Sequence, residues 1–540
     1  MHRKIGFLLV ILTLGSVLAS GCIGGSSGSG KTTTSSPSGI DFKAYPVGGV
    51  LAHWSKLFNE SIIYVSPGYE SLVRHYFPNA QIKSISEYKS GIAVMSPADA
   101  RKVLAGKPAL ITRRDYFGYV LYLMGIHYVG ADKGLMVAYK SSEGDRLILT
   151  GTGMAGVGAA LQYAMAVKDG KIQVNEAYVI HGNDFEAMGI KEIGDNNWDG
   201  IPEAGELVTI HQFRYGEPFQ FYWRVVDGEN VTVDGAFIRL VNGSTVYVHA
   251  LGFNITVNVL NPKGVNLTYV IENVNPGFMN LPQNARANGT SVVLKTSAQT
   301  FSLTPKDVGN YTVLVFGDHR PPSGDKPPEV FLKIRDRVNN ESGAFIIDGG
   351  DLVYSGDIDQ WVELMKVWKW NKPIFVASGN HEYQGDGVDI FTHLFGPTNY
   401  AFSLGGYRYI FANDVEDNYN LPSRTIAWMK RQFELAREHG QRPVLVMHVP
   451  PVDPRPNGHH SLGEDSAKQV LELMKEYHAF GVFSHIHMYW YGTYDGVPIL
   501  ITGGGGAPLY APHDQGGFYH YVILSMGSGR IGVKPVEVTP

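Results

Sequence analysis

The chain has 540 residues, of which 44% are hydrophobic and 18% charged, a composition that excludes wholesale disorder. The formal net charge of -5 argues against a nucleic-acid coat or a basic membrane-binding patch, and the chain carries no nucleic-acid-binding signature. Its single cysteine excludes an internal disulfide framework and a cysteine-rich metal site. At about 100–200 residues per domain, this length predicts three or four domains.

Residues 1–21 have the pattern of an export signal. His2-Arg3-Lys4 precedes an apolar run from Ile5 to Ala19, which is shorter than the roughly 20 residues that span a bilayer. The run ends in Leu18-Ala19-Ser20-Gly21-Cys22, which resembles the lipobox of prokaryotic lipoproteins and implies cleavage before Cys22 and a lipid on its sulfur. The alternative is an ordinary signal peptide with a cysteine nearby. We therefore expect an extracytoplasmic protein that a lipid on Cys22 anchors to the cell membrane.

Residues 22–41 are rich in Gly, Ser and Thr, a composition typical of a flexible linker. Residues 25–32 match the phosphate-binding pattern G-x-x-x-x-G-K-T. That motif needs a buried strand before it and a helix after it, and the sequence predicts neither here. We therefore interpret the match as chance.

Residues 42–185 alternate short apolar runs with helical patterns, which predicts an α/β domain of unknown role. Gly151-Thr152-Gly153-Met154-Ala155-Gly156 lies between a predicted strand and a predicted helix, as a dinucleotide-binding fingerprint would. No clear acidic ribose partner ends the next strand. We favour the alternative that these glycines allow the helix and strand to pack closely.

Residues 186–305 combine strand-like runs with turn signals, which predicts a β-sandwich of immunoglobulin or fibronectin type. At its start, residues 195–206 fit the template of a Ca²⁺-binding loop, although flanking helices are missing. The alternative is a polar turn rich in Asp and Gly. The candidate calcium ligands are Asp195, Asn197, Asp199, Ile201 and Glu206.

Glycosylation sequons of the form N-x-S/T are frequent in and around this sandwich, and they would suit a glycosylated exterior domain. Asn-rich and Thr-rich strands also generate such sequons by chance. The sequons stand at Asn59, Asn230, Asn242, Asn254, Asn266, Asn288, Asn310 and Asn340.

In residues 306–540 the alternation of strands and helices returns, and polar residues follow the predicted strands. Open α/β sheets place their sites at these carboxyl ends. Five such endings in one domain are costly to bury unless the side chains are paired or bind metal. The endings are Gly317-Asp318-His319-Arg320, Gly350-Asp351-Leu352-Val353-Tyr354, Gly379-Asn380-His381-Glu382, His448, and His485-Ile486-His487.

These blocks, in this order, resemble the calcineurin-like metallophosphoesterase superfamily over roughly residues 309–540. The resemblance implies an αββα sandwich whose strand ends hold two metal ions, Fe, Mn or Zn, and a metal-bound hydroxide that attacks phosphorus. It implies that His381 protonates the leaving alkoxide. The implied metal ligands are Asp318 and His487 for metal one, Asp351 as the bridge, and Asn380, His448 and His485 for metal two.

The first two blocks depart from the commonest pattern and resemble the purple acid phosphatase branch. Arg320 stands where a histidine is usual, and His319 should point elsewhere on an extended chain. Tyr354 takes the position at which that branch has a tyrosine on Fe(III), so either Tyr354 ligates metal one or it merely packs. Arg320 is a candidate phosphate-binding residue or an ordinary surface arginine. Ser484 replaces the last block's glycine.

The lead hypothesis is an extracytoplasmic, lipid-anchored phosphoesterase that hydrolyses a phosphate mono- or diester. The alternative is a non-catalytic cell-surface or envelope protein that keeps the fold, and a dinucleotide-dependent enzyme is a third interpretation. The pair His459-His460, in the loop after His448, is either a further candidate for substrate contact or simply exposed. Glycines 503–506 would let the backbone approach the site. The sequence leaves open the substrate, the metal and the oligomeric state.

Overall fold

The protein is described here by a computed structural model. It covers residues 62–106, 109–123, 126–131, 133–141, 143–154, 156–158, 160–161, 164, 178–181, 186–189, 223–226, 229–260, 262–456, 458–527 and 529–540. The signal peptide, the linker with Cys22, Asn59 and the calcium loop at 195–206 lie outside these residues. Within the described ranges, no helix is long and apolar enough to cross a membrane.

The N-terminal region forms two sheets. A seven-stranded sheet has the order β10-β9-β7-β8-β3-β1-β2, and a three-stranded sheet has the order β4-β5-β6. The elements are β1 Ile62–Val65, α1 Glu70–Tyr76, β2 Gln81–Ser84, β3 Gly91–Val94, α2 Pro97–Val103, β4 Ala109–Arg114, β5 Gly118–Leu123, β6 Ile126–Tyr128, β7 Lys133–Ser141, β8 Gly144–Gly151, β9 Tyr178–His181 and β10 Glu186–Gly189. Because β10 pairs with β9, this sheet extends four residues beyond the predicted boundary at residue 185.

The glycines at 151–156 serve close packing, as we favoured from the sequence. A Cβ atom on Gly151 would lie 2.6 Å from the carbonyl oxygen of Lys133, and one on Gly156 would lie 2.2 Å from it. The described residues from 154 to 164 are all helical, so the glycines lie at the start of a helix that follows β8. Only glycine fits such an approach of helix and strand.

The middle region is a β-sandwich of two five-stranded sheets, ordered β11-β12-β15-β20-β17 and β13-β14-β16-β19-β18. Its inward side chains alternate along each strand, as in β14 and β16. The strands are β11 Trp223–Val226, β12 Glu229–Asp234, β13 Ala236–Asn242, β14 Thr245–Ala250, β15 Ile255–Leu260, β16 Leu267–Glu272, β17 Met279–Asn280, β18 Arg286–Asn288, β19 Ser291–Thr296 and β20 Thr300–Pro305.

This sandwich shares a core with the C-terminal region. The ring of Phe253 lies 5.7 Å from that of Phe345 and 5.8 Å from that of Phe402. The side chain of Asn273 accepts a hydrogen bond from the N–H of Ile374 at 2.8 Å and donates one to its carbonyl at 3.0 Å. The sandwich therefore covers β23, an edge strand of a C-terminal sheet.

The C-terminal region contains a five-stranded sheet ordered β23-β22-β21-β30-β31 and a six-stranded sheet ordered β24-β25-β26-β27-β29-β28. The strands are β21 Tyr311–Phe316, β22 Phe345–Asp348, β23 Ile374–Val376, β24 Tyr400–Leu404, β25 Tyr407–Phe411, β26 Arg442–Val446, β27 Phe480–Phe483, β28 Tyr489–Tyr494, β29 Val497–Thr502, β30 His520–Gly527 and β31 Arg530–Glu537. The helices are α3 Glu329–Asn340, α4 Ile358–Val367, α5 Gly387–Phe395, α6 Ser423–Glu438 and α7 Glu464–Glu476.

The period-two pattern of the strands explains the layers. In β21, Val313 and Val315 face the core between the two sheets, whereas Leu314 and Phe316 face the layer that contains α3, α4 and α5. In β26, Leu445 faces the opposite layer with α6 and α7. The result is the αββα sandwich predicted from the sequence.

Candidate metal centre

The polar blocks meet at the carboxyl ends of the central strands. Strands β21, β22 and β23 are parallel neighbours, and so are β25, β26 and β27. Their carboxyl ends therefore share one edge of each sheet, and the two edges face one site. Of the predicted metal ligands, the structure brings together Asp318, Asp351, Asn380, His448, His485 and His487.

Three of these ligands have left-handed backbone conformations, with φ of 58° at Asp318, 58° at Asp351 and 66° at His485. Such values are rare outside glycine and cost free energy, and they cluster at functional sites.

One half of the site, which we call the metal-two half, surrounds the Nε2 atom of His448. This atom lies 3.2 Å from Asn380 Oδ1 and 3.2 Å from His485 Nδ1. Asp351 Oδ1 is 3.3 Å away. Donor atoms at these separations are spaced like the ligands of one cation with bonds of about 2.0–2.2 Å.

The other half, the metal-one half, is built from Asp318, Asp351 and His487, whose ligand atoms lie within 4.8 Å of one another. The Nε2 atom of His487 is 3.4 Å from Asp318 Oδ1. That oxygen is buried and has no hydrogen-bond partner in the described chain, whereas Oδ2 accepts the N–H of His485 at 2.7 Å. A buried carboxylate oxygen without a donor is suited to a cation.

Backbone carbonyls orient two of the imidazoles. The Nδ1–H of His448 donates to the carbonyl of Gly349 at 2.8 Å, and that of His487 donates to the carbonyl of Pro508 at 2.6 Å. These bonds leave the Nε2 lone pairs directed at the site, as metal-binding histidines require.

Charge in the site is strongly coupled. Burial raises the pKa of Asp351, but the positive charges of His448 and His381 outweigh it and hold the pKa well below its ordinary value. Burial lowers the pKa of His448, yet Asp351 and Asp318 raise it to about 9. The carboxylates therefore favour positive charge at the position of His448 Nε2, which a bound cation would also supply.

His381 and Arg320 flank the bridging carboxylate. The N–H of His381 donates to Asp351 Oδ1 at 3.1 Å, and its Nε2 lies 3.8 Å from Oδ2. Its Nδ1–H donates to the carbonyl of Tyr354. The Nε atom of Arg320 lies 3.5 Å from Asp351 Oδ2. Both side chains can therefore reach a group bound at Asp351.

Tyr354 is 38% exposed, and its ring stacks on His381 at 5.6 Å. The guanidinium carbon of Arg320 lies 5.4 Å from the ring centre. Ligation of metal one by the Tyr354 hydroxyl therefore stays a prediction.

His319 points away from the site, as we predicted. Its Nε2 lies 2.9 Å from Asp348 Oδ2, and both side chains are fully buried. Its ring stacks on Phe331 at 4.1 Å. His319 thus belongs to the packing beneath the site.

Glu382 is a residue whose role our sequence analysis missed. It is buried, and it accepts the N–H groups of Asp351 at 2.9 Å, Gly379 at 2.7 Å and Leu352 at 2.7 Å. Burial and the neighbouring Asp351 raise its pKa to about 7. Glu382 therefore ties the two ligand-bearing loops together, and its place beside Asn380-His381 was the available signal.

Asp414, just beyond β25, was also missed. Its Oδ2 accepts the N–H of Val449 at 2.6 Å, and its buried Oδ1 has no hydrogen-bond partner among the described residues. Burial raises its pKa to about 7, although the charge of His448 opposes this. Asp414 follows an apolar strand, as the predicted ligands do, and this pattern could have marked it from the sequence.

Glycines let the chain approach the site. A Cβ atom on Gly317 would lie 2.1 Å from the Ser484 hydroxyl, and one on Gly349 would lie 2.0 Å from it. A Cβ atom on Gly503 would lie 2.6 Å from Asp318 Oδ2, which confirms the expected close approach. Ser484 thus fills space that two glycines leave.

The loop after His448 brings one further histidine to the rim. The ring of His460 lies 5.4 Å from that of His485 and 5.3 Å from that of Tyr510, whereas His459 is exposed. The carboxylate of Asp453 accepts the N–H of His460 at 3.0 Å. Only one member of the predicted pair is near the site.

A family model described as calcineurin-like phosphoesterase matches residues 311–489, the segment that supplies every ligand above. The chain carries a calcineurin-like phosphoesterase domain. This supports metal-dependent phosphoesterase chemistry in general. No curated protein matches the chain.

Three solved structures are similar to parts of this chain. A purple acid phosphatase from yellow lupin (Lupinus luteus) seeds has a TM-score of 0.39 and 14% identity over 53% of this chain and 69% of its own. The anchor protein of the Plasmodium inner membrane complex has a TM-score of 0.36 and 14% identity, and the match covers 43% of this chain and 85% of its own. A Danio rerio dimetal phosphatase has a TM-score of 0.34 and 13% identity, and the match covers 43% of this chain and 98% of its own.

Proposed function

We propose that this protein is an extracytoplasmic, lipid-anchored phosphoesterase that uses two metal ions to hydrolyse a phosphate mono- or diester. The observation that carries the proposal is the convergence of Asn380 Oδ1, His485 Nδ1 and Asp351 Oδ1 to within 3.2–3.3 Å of His448 Nε2. In the other half of the site, the buried Asp318 Oδ1 has no hydrogen-bond partner among the described residues, which also suits a cation.

The donor set fits two cations that share Asp351. Asp318 and His487 would hold one ion, with Tyr354 as a further ligand if its hydroxyl turns inward. Asn380, His448 and His485 would hold the other. Carboxylate, amide and imidazole donors without a thiolate suit Fe, Mn or Zn. When bound, such ions neutralise phosphoryl oxygens and lower the pKa of water, which supplies a nucleophile at neutral pH.

The protein's own residues would bind the ester and move the proton. Arg320 would fork onto phosphate oxygens beside Asp351, from which its Nε is 3.5 Å away. His381 would donate the proton from Nε2 to the leaving oxygen, because its Nδ1–H is already committed to the carbonyl of Tyr354. The side chain of His381 is 15% exposed, so a leaving group could reach it from solvent.

The location rests on the sequence of the N-terminus. The apolar run from Ile5 to Ala19 and the lipobox-like ending at Cys22 support export and lipid anchoring. The calcium loop at 195–206 would then be a structural site in an exterior domain. Radiolabelled lipid incorporation into wild type but not Cys22→Ala would support the anchor, and equal labelling would contradict it.

The activity is tested by loading the purified protein with Fe, Mn or Zn and offering an aryl phosphate monoester and diester. We expect hydrolysis of at least one, and a fall in kcat of about 10³-fold or more in Asp351→Asn, because both ions lose a shared charge. The exposed Asp514→Asn is the matched control and should retain activity. Equal activity in wild type and Asp351→Asn would contradict the assignment, and no turnover by any loaded form would favour the non-catalytic alternative.

A further inference from the structure

The three-stranded sheet of the N-terminal region packs against the phosphoesterase domain, although it lies outside the matched residues 311–489. Val120 of this sheet and Val129 just beyond it are buried in the same cluster as Trp361 of α4 and Ile390 of α5. Helix α4 follows the loop of Asp351, and α5 follows the loop of His381. The sheet therefore completes the layer that supports both loops.

A well-buried polar contact joins this sheet to the catalytic side. The carboxylate of Asp386 accepts the backbone N–H of His127 at 2.9 Å, and its other oxygen lies 2.8 Å from His127 Nδ1. The two side chains are 14% and 7% exposed. The ring of His127 also lies against Tyr122 of the neighbouring strand at 4.8 Å. Asp386 thus contacts both the backbone and the side chain of His127.

Asp386 is close to the catalytic histidine along the chain and precedes α5 directly. Local hydrogen bonds constrain the segment between His381 and Asp386. The N–H of Gln384 donates to the carbonyl of His381 at 3.3 Å, and the N–H of Gly387 donates to the carbonyl of Gln384 at 2.9 Å. A Cβ atom on Gly387 would lie 2.4 Å from the carbonyl oxygen of Glu382. A shift of Asp386 would therefore move His381.

The loop that contains Asp351 is locked to the same segment. A Cβ atom on Gly356 would lie 1.9 Å from the carbonyl oxygen of Gln384. At the start of α4, Asp359 Oδ1 lies 3.3 Å from Arg114 Nε of the sheet, but Asp359 is 65% exposed, so this pair contributes little. The better-buried contact of His127 and Asp386 carries the coupling.

We propose that His127 is a positioning residue supplied by the N-terminal region, which acts through Asp386 to hold the His381 loop in its catalytic geometry. This rests on the proposed function, in which His381 donates a proton. The N-terminal region is then a working part of the enzyme, and its role, left open by the sequence, is to fix the loop between β23 and α5.

The test compares His127→Ala with His127→Asn in the full-length, metal-loaded protein. We expect His127→Ala to lower kcat roughly tenfold with KM within about twofold, because a misplaced catalytic group costs rate more than binding. His127→Asn should restore most of the rate, since its amide can donate where Nδ1 does. Metal content should be unchanged in both. Asp386→Asn is a milder second variant with a smaller loss.

His75→Ala is the matched control, because His75 is an exposed histidine of the same region. Hydrogen exchange gives a readout independent of turnover: peptides over residues 379–390 should exchange faster in His127→Ala than in wild type or His75→Ala. Unchanged exchange and unchanged kcat would overturn the inference while leaving the proposed function intact. If wild type hydrolyses nothing, the proposed function fails, and unchanged exchange would still overturn the positioning role.

Discussion

The two halves of the candidate metal centre differ in how completely protein atoms enclose them. In the metal-two half, the ligand atoms come from four blocks. Three of them lie within 3.3 Å of the fourth, which is His448 Nε2. In the metal-one half, Asp318 Oδ1 has His487 Nε2 at 3.4 Å and no hydrogen-bond partner in the described chain. Tyr354, its predicted further ligand, is stacked on His381.

Enclosed sites bind their metal tightly, whereas catalytic sites keep a coordination position open. By that rule, the metal-two half should retain its ion more firmly, and the metal-one half should be where water or substrate enters. Arg320 and His381 both stand beside Asp351, the carboxylate that the two halves share. We therefore expect the metal-two half to retain its ion and the metal-one half to exchange water or substrate.

The largest effect should come from separating the halves with His448→Ala and His487→Ala. We expect each variant to lose about 10²-fold or more in kcat, because each loses a ligand of one ion. They should differ under a chelator: His487→Ala keeps one ion in the enclosed half, whereas His448→Ala loses both. Metal analysis after dialysis measures this, and equal retention by the two variants would abolish the distinction.

A smaller effect is expected from Tyr354→Phe. If the hydroxyl turns onto an Fe(III) ion, the iron-loaded wild type should show a visible tyrosinate band that the variant lacks, with a loss of roughly tenfold in kcat. Phenylalanine keeps the stacking on His381, so it isolates the hydroxyl. A band that persists in Tyr354→Phe would show that the residue only packs.

Packing beneath the enclosed half is tested by a double-mutant cycle. Gly349→Ala should destabilise the protein by about 1–3 kcal/mol, because the new Cβ would lie 2.0 Å from the Ser484 hydroxyl. Ser484→Gly in the same chain should recover most of that loss by emptying the space. Thermal unfolding of the four proteins gives the coupling, and simple additivity would refute the contact.

The smallest effect concerns pH and Asp414, behind His448. Its pKa is raised from the ordinary value of 3.8 to about 7, so its stabilising contribution is complete below pH 3.8 and is lost as pH rises through about 7. In metal-free protein, the Tm of wild type should therefore fall more between pH 5 and 8 than the Tm of Asp414→Asn. Asp514→Asn should retain the wild-type slope. Parallel slopes in all three would contradict the raised pKa.

Sequence alone predicted most strands of the two C-terminal sheets and the polar residues that follow them, but not β28, β30 or β31. A buried apolar run such as Tyr311–Phe316, ended by a charged residue, is a local signal that needs no tertiary information. Asp318, Asp351 and His448 were found in this way. Glu382 and Asp414 followed the same signal, but their roles depend on which backbone groups lie nearby.

Contacts between distant segments could not be predicted. His127 and Asp386 are separated by 259 positions, and no local pattern marks either residue. Strands β5 and β6 of the sheet that contains His127 were not identified from the sequence. The left-handed φ of Asp318, Asp351 and His485 likewise depends on the assembled site.

The most direct test of the account is the number of metal ions that the wild-type protein binds. After loading with Mn, Zn or Fe and removal of free metal, we expect two ions per chain, one of which a chelator removes more readily. Asp351→Asn, which weakens both halves, should bind fewer than two. A wild-type chain that retains no ion under any loading condition would contradict the metal centre and the activity derived from it.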